Sequence, residues 1–189
     1  MVGISACVSQ FMLKKGLDLP VEGAPTQGIE AGQAVRTVAI LGADYIGLKP
    51  RLEVAEGEEI KAGSPILSHK DTPDVKVTSP VAGTIKAINR GARRALISVE
   101  IEPSATPSDS IDFSSIGDTA TQEGLAQKLC ASGLWTSFRT RPYSKVPASD
   151  TRPAALFVTA MDTEPLAGNP VDIIAADADA FRTGLAAIS

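Results

Sequence analysis

With 189 residues, 43% of them hydrophobic and 21% charged, the chain is long enough to bury a core and has the composition of an ordinary globular protein. A formal net charge of −4 argues against a general nucleic-acid binder, which carries a basic excess. No run of 18 apolar residues exists, so no segment reads as a membrane-spanning helix, and Cys7 and Cys130 have neither metal-ligand nor disulfide-framework spacing.

Residues 1–11, MVGISACVSQF, lack the basic start and the length of a secretory signal; they read as a leader not native to the protein, with Met12 as the original start. Residues 16–34 hold four glycines and two prolines and read as an extended lead-in. Strands are expected at 35–41, 75–78, 83–88 and 95–101, with two further apolar runs inside RLEVAEGEEIKAGSPIL at 51–67. Leu52 and Val54, Val75 and Val77, and Ile97, Val99 and Ile101 keep the period of two that puts one strand face on a core. Gly57 and Gly63 suit tight turns, and Gly83 a bend before a strand. Short strands at this spacing predict a small β sandwich or barrel.

Residues 103–120 form a Ser-, Pro- and Asp-rich linker. A helix follows, with Thr119 and Gln122 at capping-box spacing, Leu125 and Leu129 on one face, and Gly133 as its stop; Cys130 reads as a small core residue. AALFVTA at 154–160 reads as a strand covered on both faces, and VDII at 171–174 as a shorter strand. Asp177 is placed to cap a last helix striped by Phe181, Leu185 and Ile188. A covered strand needs partners, so the second domain is expected to be incomplete. The fold class is therefore α+β, with a β unit over 12–102, a linker over 103–120 and the start of an α/β domain over 121–189.

The segment SHKDTPDVKVTSPVAGTIKAI, residues 68–88, following VAEGEEIKAGSPIL, resembles the barrel-sandwich hybrid of lipoyl and biotinyl carriers. In that pattern the modified lysine falls on Thr72, while Lys70 and Lys76 sit on the arms of the hairpin. A carrier needs its amine at the apex, so Lys70 reads as a solvated hairpin lysine, with a carrier module kept as the alternative. His69, the lone histidine, has no second ligand at metal spacing and reads as a solvated hairpin residue; no metal site is expected.

A wider set of motifs goes further. KKGLDLPVEGAP, YIGLKPRLEVAEGEEIKAG, NRGARRALISVEI, SGLWTSFRTRPYSKVP and FVTAMDTEPLAGNP are together similar to the A-type subunits of the bacterial sodium-translocating NADH:quinone reductases. The first half also resembles the C-type subunit of the Rnf complex, and the later half, more distantly, the flavin subunit of respiratory complex I. Flavin-binding relatives place a glycine-rich loop after the helix, so that backbone N–H groups reach the flavin phosphate. Here Trp135, Thr136, Ser137, Phe138, Arg139 and Thr140 stand in that loop, and no glycine follows until Gly168. The acidic turn of those relatives survives only as TAMDTEP, with Asp162 and Glu164.

What the resemblance implies is a soluble, cofactor-free, peripheral subunit on the cytoplasmic side of the bacterial inner membrane. The whole complex would use NADH, flavins and ubiquinone, and this chain would dock on the other subunits, especially an integral-membrane flavoprotein. An FMN-binding NADH dehydrogenase fragment is a further alternative. The residues chosen for quinone or partner binding are Trp135, Phe138, Arg139, Arg141, Tyr143 and Lys145, because guanidiniums beside aromatic rings suit planar or anionic partners. Arg139 and the extended Arg141 are expected to point the same way. The bland reading makes Trp135 and Phe138 core. A second basic group, Lys86, Arg90, Arg93 and Arg94, reads as a solvated turn with docking as its sharper alternative.

Overall fold

The computed structural model describes residues 12, 16, 21–26, 28–105 and 109–189. The expected leader, residues 1–11 with Cys7, lies outside the described residues. Residues 31–156 with 184–189 form one compact unit, and the described part of 1–30 with 157–183 forms another.

The first unit is built on seven strands: β1 Val38–Leu41, β2 Pro50–Leu52, β3 Glu59–Ile60, β4 Pro65–His69, β5 Lys76–Thr78, β6 Gly83–Arg90 and β7 Leu96–Pro103. One sheet has the order β1-β7-β6-β3 and the other β2-β4-β5, and every named pair is antiparallel. Alternation sets the inward face: Val38 and Ile85 oppose Ile101, and Ile40 and Ile88 oppose Val99. The resulting core is Ile40, Ile60, Ile66, Leu67, Val77, Ile85, Val99 and Ile101. Each such side chain, fully buried, contributes about 1.5–3 kcal/mol. Ile66 and Leu67 are adjacent and both fully buried because the β4–β5 register shifts between Pro65 and Leu67.

Two departures from strict alternation follow from local geometry. Ile97, expected beside Val99 and Ile101, is 53% exposed, since the β6–β7 register slips between Asn89 and Arg90. Val75 does not share a core with Val77. It belongs to a second cluster with Cys130, Trp135 and Val146. Gly57 and Gly63 do occupy turns, at φ 82° and 89°. The linker is pinned to the sandwich: the Ala62 N–H donates to Asp109 O at 3.0 Å and the Ile111 N–H to Ala62 O at 2.8 Å.

Helix α1, Gln122–Ala131, is capped by Thr121, whose hydroxyl accepts from the Gly124 N–H at 3.1 Å. The cap is therefore two residues later than the Thr119–Gln122 spacing suggested. The helix ends in Gly133 at φ 81°, as expected. Ala126, Leu129 and Cys130 form its packed face; Leu125 is only half-buried beside it.

The later segments correct two strand expectations. AALFVTA, 154–160, is exposed and in no strand: an apolar run becomes a strand only by pairing, and this one joins neither sheet. VDII lies inside helix α2, Pro170–Ala176. Asn169 caps it by accepting from the Val171 N–H at 3.1 Å, and Pro170 supplies the preset φ of a first helical position. Helix α3 runs Ala178–Ile188. Among the described residues no helix is long and apolar enough to cross a membrane.

Candidate functional site

The segment after α1 folds back on the hairpin of β4 and β5. Gly133 takes a left-handed conformation, and a Cβ there would come within 2.6 Å of Thr78 Oγ1. Glycine is needed at this position on both counts. A 3-10 turn, Leu134–Ser137, then carries Trp135 inward. Its ring is 8% exposed, its Nε1–H donates to Pro147 O at 3.0 Å, and Phe138 meets it edge-on at 5.4 Å between centroids. Trp135 and Phe138, proposed from sequence as ligand-facing, are thus part of the second core cluster. Their spacing of one helical turn already allowed this.

Arg139 is also structural in its contacts. Its Nη1 donates to the carbonyls of Thr136 and Phe138, and its Nη2 to Asp44 O at 3.2 Å. The guanidinium ties the loop to the 3-10 turn Gly42–Asp44 that follows β1. Beside it, burial pushes the Tyr45 hydroxyl above its ordinary pKa, Asp44 adds to this, and Arg139 opposes it.

Beyond Arg139 the chain makes a closed loop. Thr140 donates from its N–H to Lys145 O at 2.8 Å, and the Ser144 N–H donates to Thr140 O at 2.8 Å. Arg141, Tyr143 and Lys145 are all exposed on it. Tyr143 is 75% exposed, with Lys145 Nζ lying 5.8 Å from its ring centroid. The stem of Lys145 rests against Gly47, where an added Cβ would approach its Cγ to 3.0 Å. The six predicted residues therefore divide. Three anchor the loop and three face outward. Of the two arginines expected to point the same way, Arg139 turns back onto backbone carbonyls, whereas Arg141 is exposed with no side-chain partner among the described residues.

At the hairpin, the turn is Thr72–Val75, closed by the Val75 N–H to Thr72 O at 3.0 Å, with Pro73 in the position that favours its fixed φ. Lys70 lies before this turn, and its N–H donates to Lys49 O at 2.9 Å. It is exposed but not at the apex, and Val75, just past the apex, is fully buried with Cys130 and Trp135. A carrier hairpin stands clear of its neighbours, whereas this one is anchored through Val75 just past its exposed apex. His69 corrects a sequence expectation, being half-buried rather than solvated. Its Nδ1 accepts from the N–H groups of Asp71 and Thr72 at 3.0 and 3.3 Å, and its Nε2 lies 3.3 Å from Gly47 O. The ring thus ties the hairpin tip to the Gly47 carbonyl. Lys49 reaches Asp71 at 2.7 Å and holds its carboxyl below the usual range.

Along the far side of the tip a groove of about 370 Å³ is lined by Asp74, Lys76, Glu123, Cys130 and Arg152 among others. Burial pushes the Cys130 thiol up to about 12, with Asp74 adding to the effect. The acidic turn is exposed, and Asp162 Oδ1 accepts from the Glu164 N–H at 3.0 Å. Lys86, Arg90, Arg93 and Arg94 are exposed on β6 and the turn after it. Among the described residues no group of three or more His, Cys, Asp or Glu side chains is placed to hold a metal.

Residues 11–104 match the family model described as the NqrA N-terminal barrel-sandwich hybrid domain, and residues 120–189 that of the NqrA second alpha/beta domain. Over 179 residues the chain is 47% identical to a protein of Saccharophagus degradans named as the A-type subunit of Na(+)-translocating NADH-quinone reductase. Proteins of the same name from Alcanivorax borkumensis and Serratia proteamaculans are 47% and 45% identical over 181 residues. Each alignment takes in 94% of this chain and 40% of the relative, so the chain spans about 40% of the length of these curated relatives.

Proposed function

Because this chain belongs to the NqrA family, the A-type subunits of Na(+)-translocating NADH-quinone reductases, we propose that it is a docking module of such a reductase, and that the loop Thr140–Lys145 contacts the subunit that holds the quinone. Its main support is the division of labour within one loop. Trp135, Phe138 and Arg139 spend their rings and donors on the protein itself, which fixes the base of the loop. Arg141, Tyr143 and Lys145 are left outward on a closed turn, a cationic and aromatic tip suited to a planar or anionic partner.

In this reading the chain works without a cofactor of its own. The residues do not fit a flavin phosphate. A phosphate cradle needs bare backbone N–H groups, and here the first turn after Gly133 carries the buried Trp135, followed by side chains up to Gly168. Hydride, electron and sodium chemistry then belong to partner subunits, the foremost being an integral-membrane flavoprotein. The chain sits peripherally on the cytoplasmic face of the membrane. The test is a photo-crosslinking residue at Tyr143 in the assembled reductase. A crosslink to a membrane-embedded flavin subunit is expected. Crosslinks from Lys86 but none from 141, 143 or 145 would remove the loop from the interface.

A further inference from the structure

A second cavity, of about 320 Å³, opens where the turn after β6 meets β2 and the end of β1. Its volume lies at the low end of small-molecule sites, which span roughly 300–1,000 Å³. Its lining combines the apolar Leu52, Pro50 and Leu96 with two arginines, Arg90 and Arg94. Gly42 forms part of the lining, and a Cβ there would collide with Leu96 O at 2.4 Å. No carboxylate is among the lining residues. The acidic groups that bond to β6 are committed: Glu56 accepts from the Ile88 N–H at 2.7 Å, and Glu100 from Asn89 Nδ2 at 2.7 Å.

The arginines are held in place by a strained turn. Arg93 and Arg94 have φ of 53° and 62°, a region that side chains other than glycine rarely enter. Such outliers cluster at ligand clamps. Arg90 Nη1 donates to Arg94 O at 3.2 Å, which uses one of its five N–H donors and steadies the plane of the fork. Two like charges lining one cavity repel each other, and an anion bound between them relieves that repulsion. Arginine forks match phosphate geometry.

We propose that this cavity binds a phosphate group carried on an apolar chain, the chemistry of an acidic phospholipid. Arg90 and Arg94 take the phosphate, and Leu52, Pro50 and Leu96 take the first part of the chain. The site is separate from the Thr140–Lys145 loop and stands whether or not that loop contacts a quinone subunit.

The full 189-residue chain is titrated with dihexanoyl phosphatidic acid, glycerol 3-phosphate and dihexanoyl phosphatidylcholine while amide NMR shifts are followed. Saturable shifts at Gly42, Leu52, Arg94 and Leu96 are expected with the phosphatidic acid, at least about tenfold weaker with either of the others. The R90Q/R94Q variant should weaken binding by about tenfold or more, while the charge-matched R36Q/K61Q variant should not. Glycerol 3-phosphate binding as tightly as the lipid would make the ligand a soluble phosphate and overturn the lipid assignment. Absence of saturable shifts at these amides, or equal binding by R90Q/R94Q, would overturn the site itself.

Discussion

Thr78, the last residue of β5, donates its hydroxyl proton to the carbonyl of Ser132 at 2.9 Å, tying the sandwich to the C-terminal cap of α1. The contact spans 54 residues of sequence and brings Gly133 against the same hydroxyl. Gly133→Ala meets both a left-handed φ and a 2.6 Å approach to Thr78 Oγ1. It should destabilise the unit by about 1–3 kcal/mol. Thr78→Val keeps the shape but leaves the carbonyl without its donor, at a cost of about 1 kcal/mol. Urea unfolding followed by Trp135 fluorescence reads both.

The same junction protects Cys130. Its thiol, 3% exposed and pushed up to about 12, remains protonated at pH 8. In a Cys7→Ser background, an aromatic disulfide reagent should react slowly with the native chain and rapidly in urea. The sign for stability follows from a raised folded value. The contribution is whole below the ordinary thiol range and is lost as pH rises from there towards 12. Fast native reaction at pH 8 would mean the α1 face opens readily.

Loop residues should separate into two groups by stability. Trp135→Ala empties part of the second core and should cost about 3–5 kcal/mol. Arg141→Ala and Tyr143→Ala remove exposed side chains and should stay within about 0.5 kcal/mol of the parent. On the docking role proposed for the loop, the second pair should instead weaken incorporation into a reductase complex, read by co-purification with membrane subunits.

The hairpin tip gives a pH test. Lys49 bonded to Asp71 lowers that carboxyl, so its contribution is present above the ordinary carboxylate range and disappears as pH falls through the lowered value. In Lys49→Met the Asp71 carboxyl, followed by carbon NMR, should titrate closer to its ordinary pKa. An unchanged titration would show that the hydrogen bond is not the cause.

The sandwich is legible in the sequence because its signals are local. Val99 and Ile101 alternate, and Gly57 and Gly63 mark turns whatever surrounds them. The sequence misleads where tertiary context decides. Val75 and Val77 share a period yet enter different clusters, because α1 covers one end of the hairpin. AALFVTA has the composition of a buried strand, but a strand requires an edge to pair with, and sequence cannot supply one. VDII misleads although its signal is present: Asn169 before Pro170 is a helix start, and it outweighs the β-branched run behind it. Of the candidate site, the segment itself is legible. Which of its side chains turn inward is not, since that depends on Pro147 O and Asp44 O, 12 and 95 residues away from their donors.

The most direct measurement is a titration of the purified chain with flavin mononucleotide, read by flavin fluorescence and by amide shifts over residues 133–140. With Trp135 buried behind Gly133 and Arg139 turned onto backbone, no saturation and no shifts in this segment are expected. Tight one-to-one uptake, with shifts centred on this segment, would mean that the loop opens for a flavin and that the chain hosts redox chemistry itself.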